Sequence, residues 1–240
     1  MVYRTCHVQD GHESELENGY ESRYGKRYGT KRDMERAMGR KLLCRAVAIE
    51  NGICLPKDCF IKKGKHGKPY LADYPELFFN ISHTAGSVWL ALDEEEIGID
   101  AEHIRPVKES VIEKVLSPQE KEQYRRCPLE SRNILFFRFW TLKESFLKAI
   151  GIGITVPLSS VSFSFSPCLP LLQNTENSQR PKQPGREEYR AKKQIFISCH
   201  QTISKESWYF SQMLVEREVV SLCSKQKESL GWLEQYQQIR

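Results

Sequence analysis

The chain has 240 residues, 40% hydrophobic and 28% charged, so it can bury the core of one large domain or of two smaller ones. Lys and Arg outnumber Asp and Glu by 36 to 31, a formal charge of +5, which favours an anionic ligand or an acidic partner and does not require nucleic acid. The eight cysteines form no CxxC pair or zinc-finger cluster, and no segment has the apolar length of a signal peptide or a membrane helix. We therefore expect reduced thiols, a cytoplasmic location and no membrane association.

The first part of the chain predicts a basic helix followed by strands. Residues 1–30 are weakly patterned, with one short strand at 2–8. A helix is expected from about Asp33 to Asn51, because apolar residues recur every three or four positions and Gly52 can end it. Three strands with short connections are expected next, at 78–82, 88–92 and 97–102.

A basic turn lies between this helix and the strands, in the segment KKGKHGKPY at 62–70. Its glycines would let lysines and bare backbone amides approach a ligand closely. A solvated basic turn explains the composition equally well, so both interpretations stay open at this point.

The strand IGIDAE carries two acids on one face. Alternation places Gly98, Asp100 and Glu102 on one side and the apolar residues on the other, and the missing side chain at Gly98 leaves room beside the acids. Neighbouring carboxylates repel unless a cation neutralises them, and oxygen ligands favour Mg²⁺. A solvent-facing polar strand is the alternative.

The second part of the chain also predicts helices followed by strands. SPQE forms a capping box between Ser117 and Glu120, and a short helix from there to about Arg126 precedes a long one at 131–149. A strand at 161–165 precedes a Pro- and Ser-rich loop at 166–187. An antiparallel meander and an amphipathic helix after Ser224 are expected at the end, the meander being built from 195–200, 208–214 and 218–223.

The long helix contains the motif FWTLKESFLKAIG, in which helical spacing puts Trp140, Glu144 and Lys148 on one stripe with Lys143 beside it. A carboxylate between two ammonium groups suits a divalent metal next to a polyphosphate, because the acid holds the cation and the lysines meet the remaining oxygens. An exposed helix with an ordinary Glu-to-Lys pair is the simpler explanation.

The order of elements predicts an α+β fold made of two pseudo-duplicated halves, each a helix with an antiparallel sheet. The halves are expected at 1–103 and 104–240, with the active site in the cleft between them, where the acids of the first half meet the long helix of the second.

Three ordered motifs, NISHTAG at 80–86, GIDAE at 98–102 and WTLKESFLKAIG at 140–151, resemble those of the Sfp-like 4′-phosphopantetheinyl transferases. GKPYL at 67–71 and the SPQE turn fit the same pattern. The resemblance implies transfer of the phosphopantetheine arm of coenzyme A (CoA) to a serine of an acyl or peptidyl carrier protein, releasing 3′,5′-ADP. It also implies a monomer, since the family site is completed within one chain.

Carried over by position, the resemblance implies a role for each site residue. Asp100, Glu102 and Glu144 would hold Mg²⁺ with the CoA pyrophosphate. The resemblance does not assign the base, for which we expect Glu144 or a metal-bound water, with Glu120 possible through a water. Lys148 would serve both the reaction and the phosphates. The other expected CoA contacts are Ser82, His83, Lys143, Lys68 and Pro69, and Arg32 or Arg36, assisted by Lys26 or Lys31, for the 3′-phosphate.

Two other functions fit the same residues. A Mg²⁺-dependent nuclease or phosphodiesterase would use the three acids and the basic cluster on a nucleic-acid backbone. A non-catalytic CoA-binding protein would follow if residues 1–30 do not complete the site. We expect the transferase, acting on no nucleic acid.

Overall fold

The computed structural model of the protein describes residues 1–6, 20–21, 27–28, 30–56, 61–153, 155–166, 196–233 and 237–238. The helices are α1 Lys31–Asn51, α2 Glu109–Val115, α3 Pro118–Arg126 and α4 Arg132–Ile150. The strands are β1 Val2–Cys6, β2 Tyr20–Glu21, β3 Arg27–Tyr28, β4 Ile61–Lys63, β5 Pro69–Leu71, β6 Phe78–Thr84, β7 Ser87–Asp93, β8 Ile97–His103, β9 Ser162–Ser166, β10 Phe196–His200, β11 Tyr209–Val215, β12 Glu218–Ser224 and β13 Gln237–Gln238. Helices and antiparallel sheets thus form the predicted α+β fold.

A four-stranded sheet in the order β13-β1-β7-β6 carries α1 on one face. Thr30 caps the start of α1 by accepting the Asp33 amide, and Gly52 ends it with a left-handed φ of 67°. The apolar stripe of the helix, including Leu42 and Val47, is buried against the sheet. The predicted amphipathic pattern therefore forms the first core, except near the end of the helix, where Ile49 is 56% exposed.

A three-stranded sheet in the order β11-β12-β8 packs against α4, and the pair β9-β10 covers the apolar residues on that helix. Phe139, Leu142 and Phe146 of α4 are fully buried there. The capping box at the start of α3 is present, with Glu120 and Ser117 each accepting the other's backbone amide. Gly151 ends α4 with a φ of 72°.

Polar side chains of β6 join the two sheets. Asn80 accepts the amide of Ile99, Ser82 that of Ala101 and Thr84 that of His103, at distances of 2.9, 3.1 and 2.8 Å. The amides on the β6 side of β8 are thereby satisfied by side chains instead of by a strand. This contact fixes β8, which carries the GIDAE acids, against the first sheet.

Gly98 is where α4 comes closest to β8. A Cβ at this position would lie 2.0 Å from the carbonyl oxygen of Ser145 and 2.5 Å from the amide nitrogen of Ala149. The space that the sequence suggested beside the acids is therefore filled by the α4 backbone. Glycine here lets the helix lie directly on the strand, which brings Asp100 close to α4.

Two predictions near the C-terminus need correction. The predicted three-stranded meander is wrong at β10, which pairs with β9; β11 and β12 pair antiparallel as predicted, and β12 also pairs with β8. In place of an amphipathic α-helix, the segment after Ser224 forms a short 3₁₀ helix at Glu228–Leu233, and β13 pairs in parallel with β1. Most of the loop predicted at 166–187, and most of 1–30, lie outside the described residues. Among the described residues, no helix combines the length and apolarity needed to cross a membrane.

Candidate active site

An open cleft of about 290 Å³ lies where β6, β8 and α4 meet. Its walls contain the acids of GIDAE, the stripe of α4 at four-residue spacing and the end of β6: Ile81, Ser82, His83, Asp100, Glu102, Trp140, Glu144 and Lys148. The predicted four-residue stripe on α4 therefore faces the two acids of β8. The cleft lies between β6 of the first sheet and the second sheet, which contains the acidic strand β8 and packs against α4.

Asp100 lines the cleft and is only 5% exposed. Its Oδ1 accepts the Lys148 ammonium at 2.6 Å and the Ser82 hydroxyl at 3.0 Å. Burial raises the pKa of Asp100, and Lys148 opposes that rise. Ser82 is itself buried and receives the Lys148 ammonium at 3.2 Å, so its hydroxyl positions Asp100 and Lys148 instead of facing open space.

Glu144 faces Asp100 from α4 and is 9% exposed. Burial, reinforced by the nearby Asp100 charge, raises the pKa of Glu144 to about 7. Among the described residues, neither Glu144 Oε1 nor Asp100 Oδ2 has a hydrogen-bond partner, although both atoms are buried. Two carboxylate oxygens are thus desolvated without compensation, a costly arrangement that a bound cation would relieve.

The donor set fits a hard divalent cation, because it consists of carboxylate oxygens and includes two that have no partner among the residues the structure describes. The side chains are not already gathered around a metal position: within the described ranges, no three His, Cys, Asp or Glu lie together closely enough to hold an ion. Glu102 is instead bound to Arg105, with 2.8 Å between Glu102 Oε2 and the guanidinium. Metal binding at this cleft would require these side chains to rearrange.

Lys143 and Glu120 differ from their expected roles. Lys143 has no exposed surface, and its ammonium donates to Glu120 at 2.5 Å, to Val115 O at 2.7 Å and to Leu158 O at 3.1 Å. Glu120 is equally buried and also accepts the amide of Phe163. Helical geometry explains the difference, because adjacent residues on α4 point about 100° apart and Lys143 faces the core. Neither a phosphate contact by Lys143 nor proton transfer through Glu120 matches this arrangement.

Lys68 and Pro69 are not part of the cleft wall. The Lys68 ammonium donates to Ala149 O at 2.6 Å and to Ile97 O at 3.4 Å, so it caps the C-terminal end of α4. Burial lowers the pKa of Lys68. Pro69 begins β5 and is half-buried. The basic turn is therefore attached to the end of α4, and the Lys68 ammonium is engaged by backbone carbonyls.

His83 lies on the side of the cleft nearest α1. Its Nε2 is 3.1 Å from the carbonyl oxygen of Glu35, and Gly39 of α1 provides the space for the ring. The Arg36 guanidinium is exposed and lies 3.8 Å from the Asp33 carboxylate. The side chains of Arg32 and Lys31, and the whole of Lys26, lie outside the described residues.

Sequence reasoning missed Arg105 and the joining role of Asn80 and Thr84. The latter had a visible signal, because polar residues at every second position of NISHT mark one face of a strand. Arg105 had no comparable signal, since its contact with Glu102 depends on how the chain turns after β8.

A family model described as the 4′-phosphopantetheinyl transferase superfamily matches residues 96–223. The chain belongs to this superfamily. A second model, described as 4′-phosphopantetheinyl transferase, N-terminal, matches residues 16–95. The resemblance inferred from the three motifs is confirmed.

Curated relatives from bacteria and a vertebrate are similar over part of their length. The 4′-phosphopantetheinyl transferase Sfp of Bacillus subtilis is 35% identical over 98 residues, covering 41% of this chain and 44% of the relative. HetI of Nostoc is 39% identical over 110 residues, covering 43% and 46%. The L-aminoadipate-semialdehyde dehydrogenase-phosphopantetheinyl transferase of Xenopus laevis is 33% identical over 146 residues, covering 55% and 48%. The chain spans about half the length of the curated relatives it matches.

Solved structures of holo-[acyl-carrier-protein] synthases are more distant. The Thermotoga maritima synthase shows 20% identity and a TM-score of 0.36, covering 54% of this chain and 61% of that chain. The Bacillus anthracis synthase, solved in complex with CoA (3′,5′-ADP), shows 14% identity and a TM-score of 0.37, covering 54% and 93%. Likenesses at this level support no conclusion about the site.

Proposed function

We propose that the protein transfers the 4′-phosphopantetheine arm of CoA to a serine of an acyl or peptidyl carrier protein, with Mg²⁺ as cofactor and 3′,5′-ADP as the second product. Membership of the superfamily supports the reaction class. The observation that carries the proposal is a pair of buried carboxylate oxygens, Asp100 Oδ2 and Glu144 Oε1, which have no hydrogen-bond partner in the described part of the chain and face one cleft beside Lys148.

Asp100, Glu102 and Glu144 would hold Mg²⁺, which would neutralise charge on the CoA pyrophosphate during transfer. Lys148 lies 2.6 Å from Asp100, where its ammonium can meet phosphate oxygens beside the metal ligands. His83 lines the same cleft close to α1. A phosphate bound between Lys148 and His83 would therefore also lie near the basic residues at the start of α1. Phosphoryl transfer depends mostly on such positioning and charge neutralisation.

Glu144, or a water held by the metal, would accept the proton of the carrier serine. Without metal the pKa of Glu144 is about 7, a value that suits proton exchange near neutral pH and that coordination to Mg²⁺ would lower. The carboxylate also lines the open cleft, where a serine side chain could reach it. Glu120 is enclosed in its ion pair with Lys143 and is a poorer candidate.

We also propose that the fold consists of two related halves, each with one long helix on an antiparallel sheet. Backbone pairing of β8 with β12 favours a boundary in the turn before β8 over one after residue 103. The two family models meet at residues 95 and 96, which agrees with that boundary. The cleft would then lie between β6 of the first half and β8 and α4 of the second.

Intact-mass spectrometry of an apo carrier protein incubated with the protein, CoA and Mg²⁺ tests the proposed reaction. The carrier should gain the mass of one phosphopantetheine group, and the gain should disappear with EDTA. Asp100→Ala should abolish the gain while the fold is retained, and the exposed Asp73→Ala is the matched control.

If CoA binds but several carrier types gain no mass, the protein is a CoA-binding protein and not a transferase. Mg²⁺-dependent cleavage of DNA or RNA without CoA would favour a nuclease instead.

A further inference from the structure

Arg105 is bound to the rim of the cleft by three contacts. Its guanidinium donates to Glu102 Oε2 at 2.8 Å and to the carbonyl oxygen of His103 at 2.9 Å, and its central carbon lies 4.8 Å from the centre of the Phe137 ring. Phe137 belongs to the buried face of α4 and is 2% exposed. Arg105 thus bridges the end of β8 and the long helix beside the three acids.

The three acids of the cleft are in different states. Asp100 and Glu144 each have a buried oxygen that finds no partner among the described residues. Asp100 and Glu102 each have one oxygen held by a cation, Lys148 for the buried Asp100 and Arg105 for the partly exposed Glu102. Lys148 lines the cleft, whereas the Arg105 side chain is 54% exposed, so Glu102 is the expected metal ligand whose ionic partner lies at the rim.

We propose that Arg105 is an internal counter-ion that competes with the divalent cation for Glu102 and so sets the metal concentration that the site requires. The inference rests on the proposed function, since it takes the three acids as the metal ligands. Metal binding would draw Glu102 away from the guanidinium, while the His103 carbonyl and the Phe137 ring keep Arg105 at the rim. Arg105 is a positioning residue in this account and does not act on the reacting atoms.

Competition predicts the direction of change when the charge is removed. Arg105→Met keeps an unbranched stem that can pack on Phe137, yet it removes the positive charge that binds Glu102. An exposed pair of this kind contributes up to about 1 kcal/mol, so we expect the variant to bind a divalent cation roughly three- to fivefold more tightly. Arg105→Lys restores the charge and should bring the affinity back toward that of the wild type.

The experiment titrates Mn²⁺, used as a spectroscopic probe for Mg²⁺, into the full chain without CoA and follows free Mn²⁺ by electron paramagnetic resonance. The matched control is Arg126→Met, which breaks a surface pair of the same 2.8 Å length with Glu122 on α3. Asp100→Ala reports whether the bound Mn²⁺ lies at this cleft. Thermal unfolding of every variant shows that the fold is retained.

Tighter binding by Arg105→Met, with Arg105→Lys and Arg126→Met near the wild type, would support the inference. Weaker or unchanged binding by Arg105→Met would overturn it, because Arg105 would then orient Glu102 for the metal or play no part. If wild type and Asp100→Ala bind Mn²⁺ equally, the metal assignment of the proposed function fails, and the inference fails with it.

Discussion

Lys143 and Glu144 are neighbours on α4, yet their surroundings are opposite. Lys143 has no exposed surface and its ammonium has three acceptors, one of them the Glu120 carboxylate. Glu144 faces the cleft with a buried oxygen that finds no partner in the described part of the chain. One side of the helix therefore carries a completed ionic contact, and the other carries an incomplete one.

This difference separates stability from function within a single motif. A buried ion pair whose hydrogen bonds are satisfied joins neighbouring elements, since Lys143 links α4 to Glu120 of α3 and to the Leu158 carbonyl that precedes β9. Unsatisfied acids raise the free energy of the folded state, and that cost is expected where a ligand binds. The comparison predicts that a substitution of Lys143 chiefly lowers the free energy of unfolding, whereas a substitution of Glu144 chiefly changes the cleft.

Lys143→Met should give the largest loss of stability. It leaves the Glu120 carboxylate buried without its cation, and breaking such a pair costs about 3–5 kcal/mol in the free energy of unfolding. Urea unfolding followed by circular dichroism measures the loss. Lys121→Met is the control, because it breaks an ion pair with Glu113 that is partly exposed and worth at most about 1 kcal/mol.

A Lys143→Met variant of normal stability with a raised KM for CoA would contradict this interpretation. It would return Lys143 to the phosphate contact that the family resemblance implied.

The pH dependence of stability should reveal the free-energy cost of burying the Glu144 carboxylate. Its pKa is about 7 in the folded protein against 4.5 ordinarily, so the folded state binds more protons between these values. The proton on Glu144 stabilises the folded state fully below about pH 4.5, and this contribution is lost as pH rises through about 7. At pH above 8, Glu144→Gln should therefore exceed the wild type in stability by up to about 3 kcal/mol.

Urea unfolding of both proteins without metal, at several pH values from about 5 to about 8.5, measures this difference. The two stability profiles should diverge as pH rises. Parallel profiles would mean that Glu144 titrates normally and that its side of α4 carries no strain.

Gly98→Ala should disturb the contact between β8 and α4 that keeps Glu144 beside Asp100. The added Cβ would lie 2.0 Å from the Ser145 carbonyl oxygen, so α4 must move away from β8. Overpacking of this kind costs about 1–3 kcal/mol. Mn²⁺ affinity should fall as well, because Asp100 and Glu144 would separate.

The control is Gly64→Ala, whose Cβ would meet the Lys68 carbonyl oxygen at an ordinary 3.6 Å. Equal stability of the two alanine variants would show that the close approach of α4 to β8 is not required.

The sequence was sufficient wherever a pattern is local. Alternation in IGIDAE predicted which face of β8 carries the acids, and SPQE predicted the start of α3, because strand and cap geometry span only a few residues. Roles within FWTLKESFLKAIG were harder, since Lys143 and Glu144 differ by one position and only the packing of α4 decides which faces the core. Long-range pairing was missed for the same reason, as with β10 and β9.

Lys68→Met is expected to have the smallest effect, and it tests whether the basic turn belongs to the stable or the functional part of the molecule. The Lys68 ammonium caps the carbonyl of Ala149 at the end of α4, and a cation at a helix C-terminus contributes about 0.3–1 kcal/mol. A small loss in urea unfolding with an unchanged KM for CoA would assign Lys68 to the scaffold. Lys65→Met, on an exposed residue of the same turn, is the control. A raised KM for Lys68→Met alone would show that its ammonium leaves the helix end to bind CoA, because the capping contact would then be an alternative to the ligand contact.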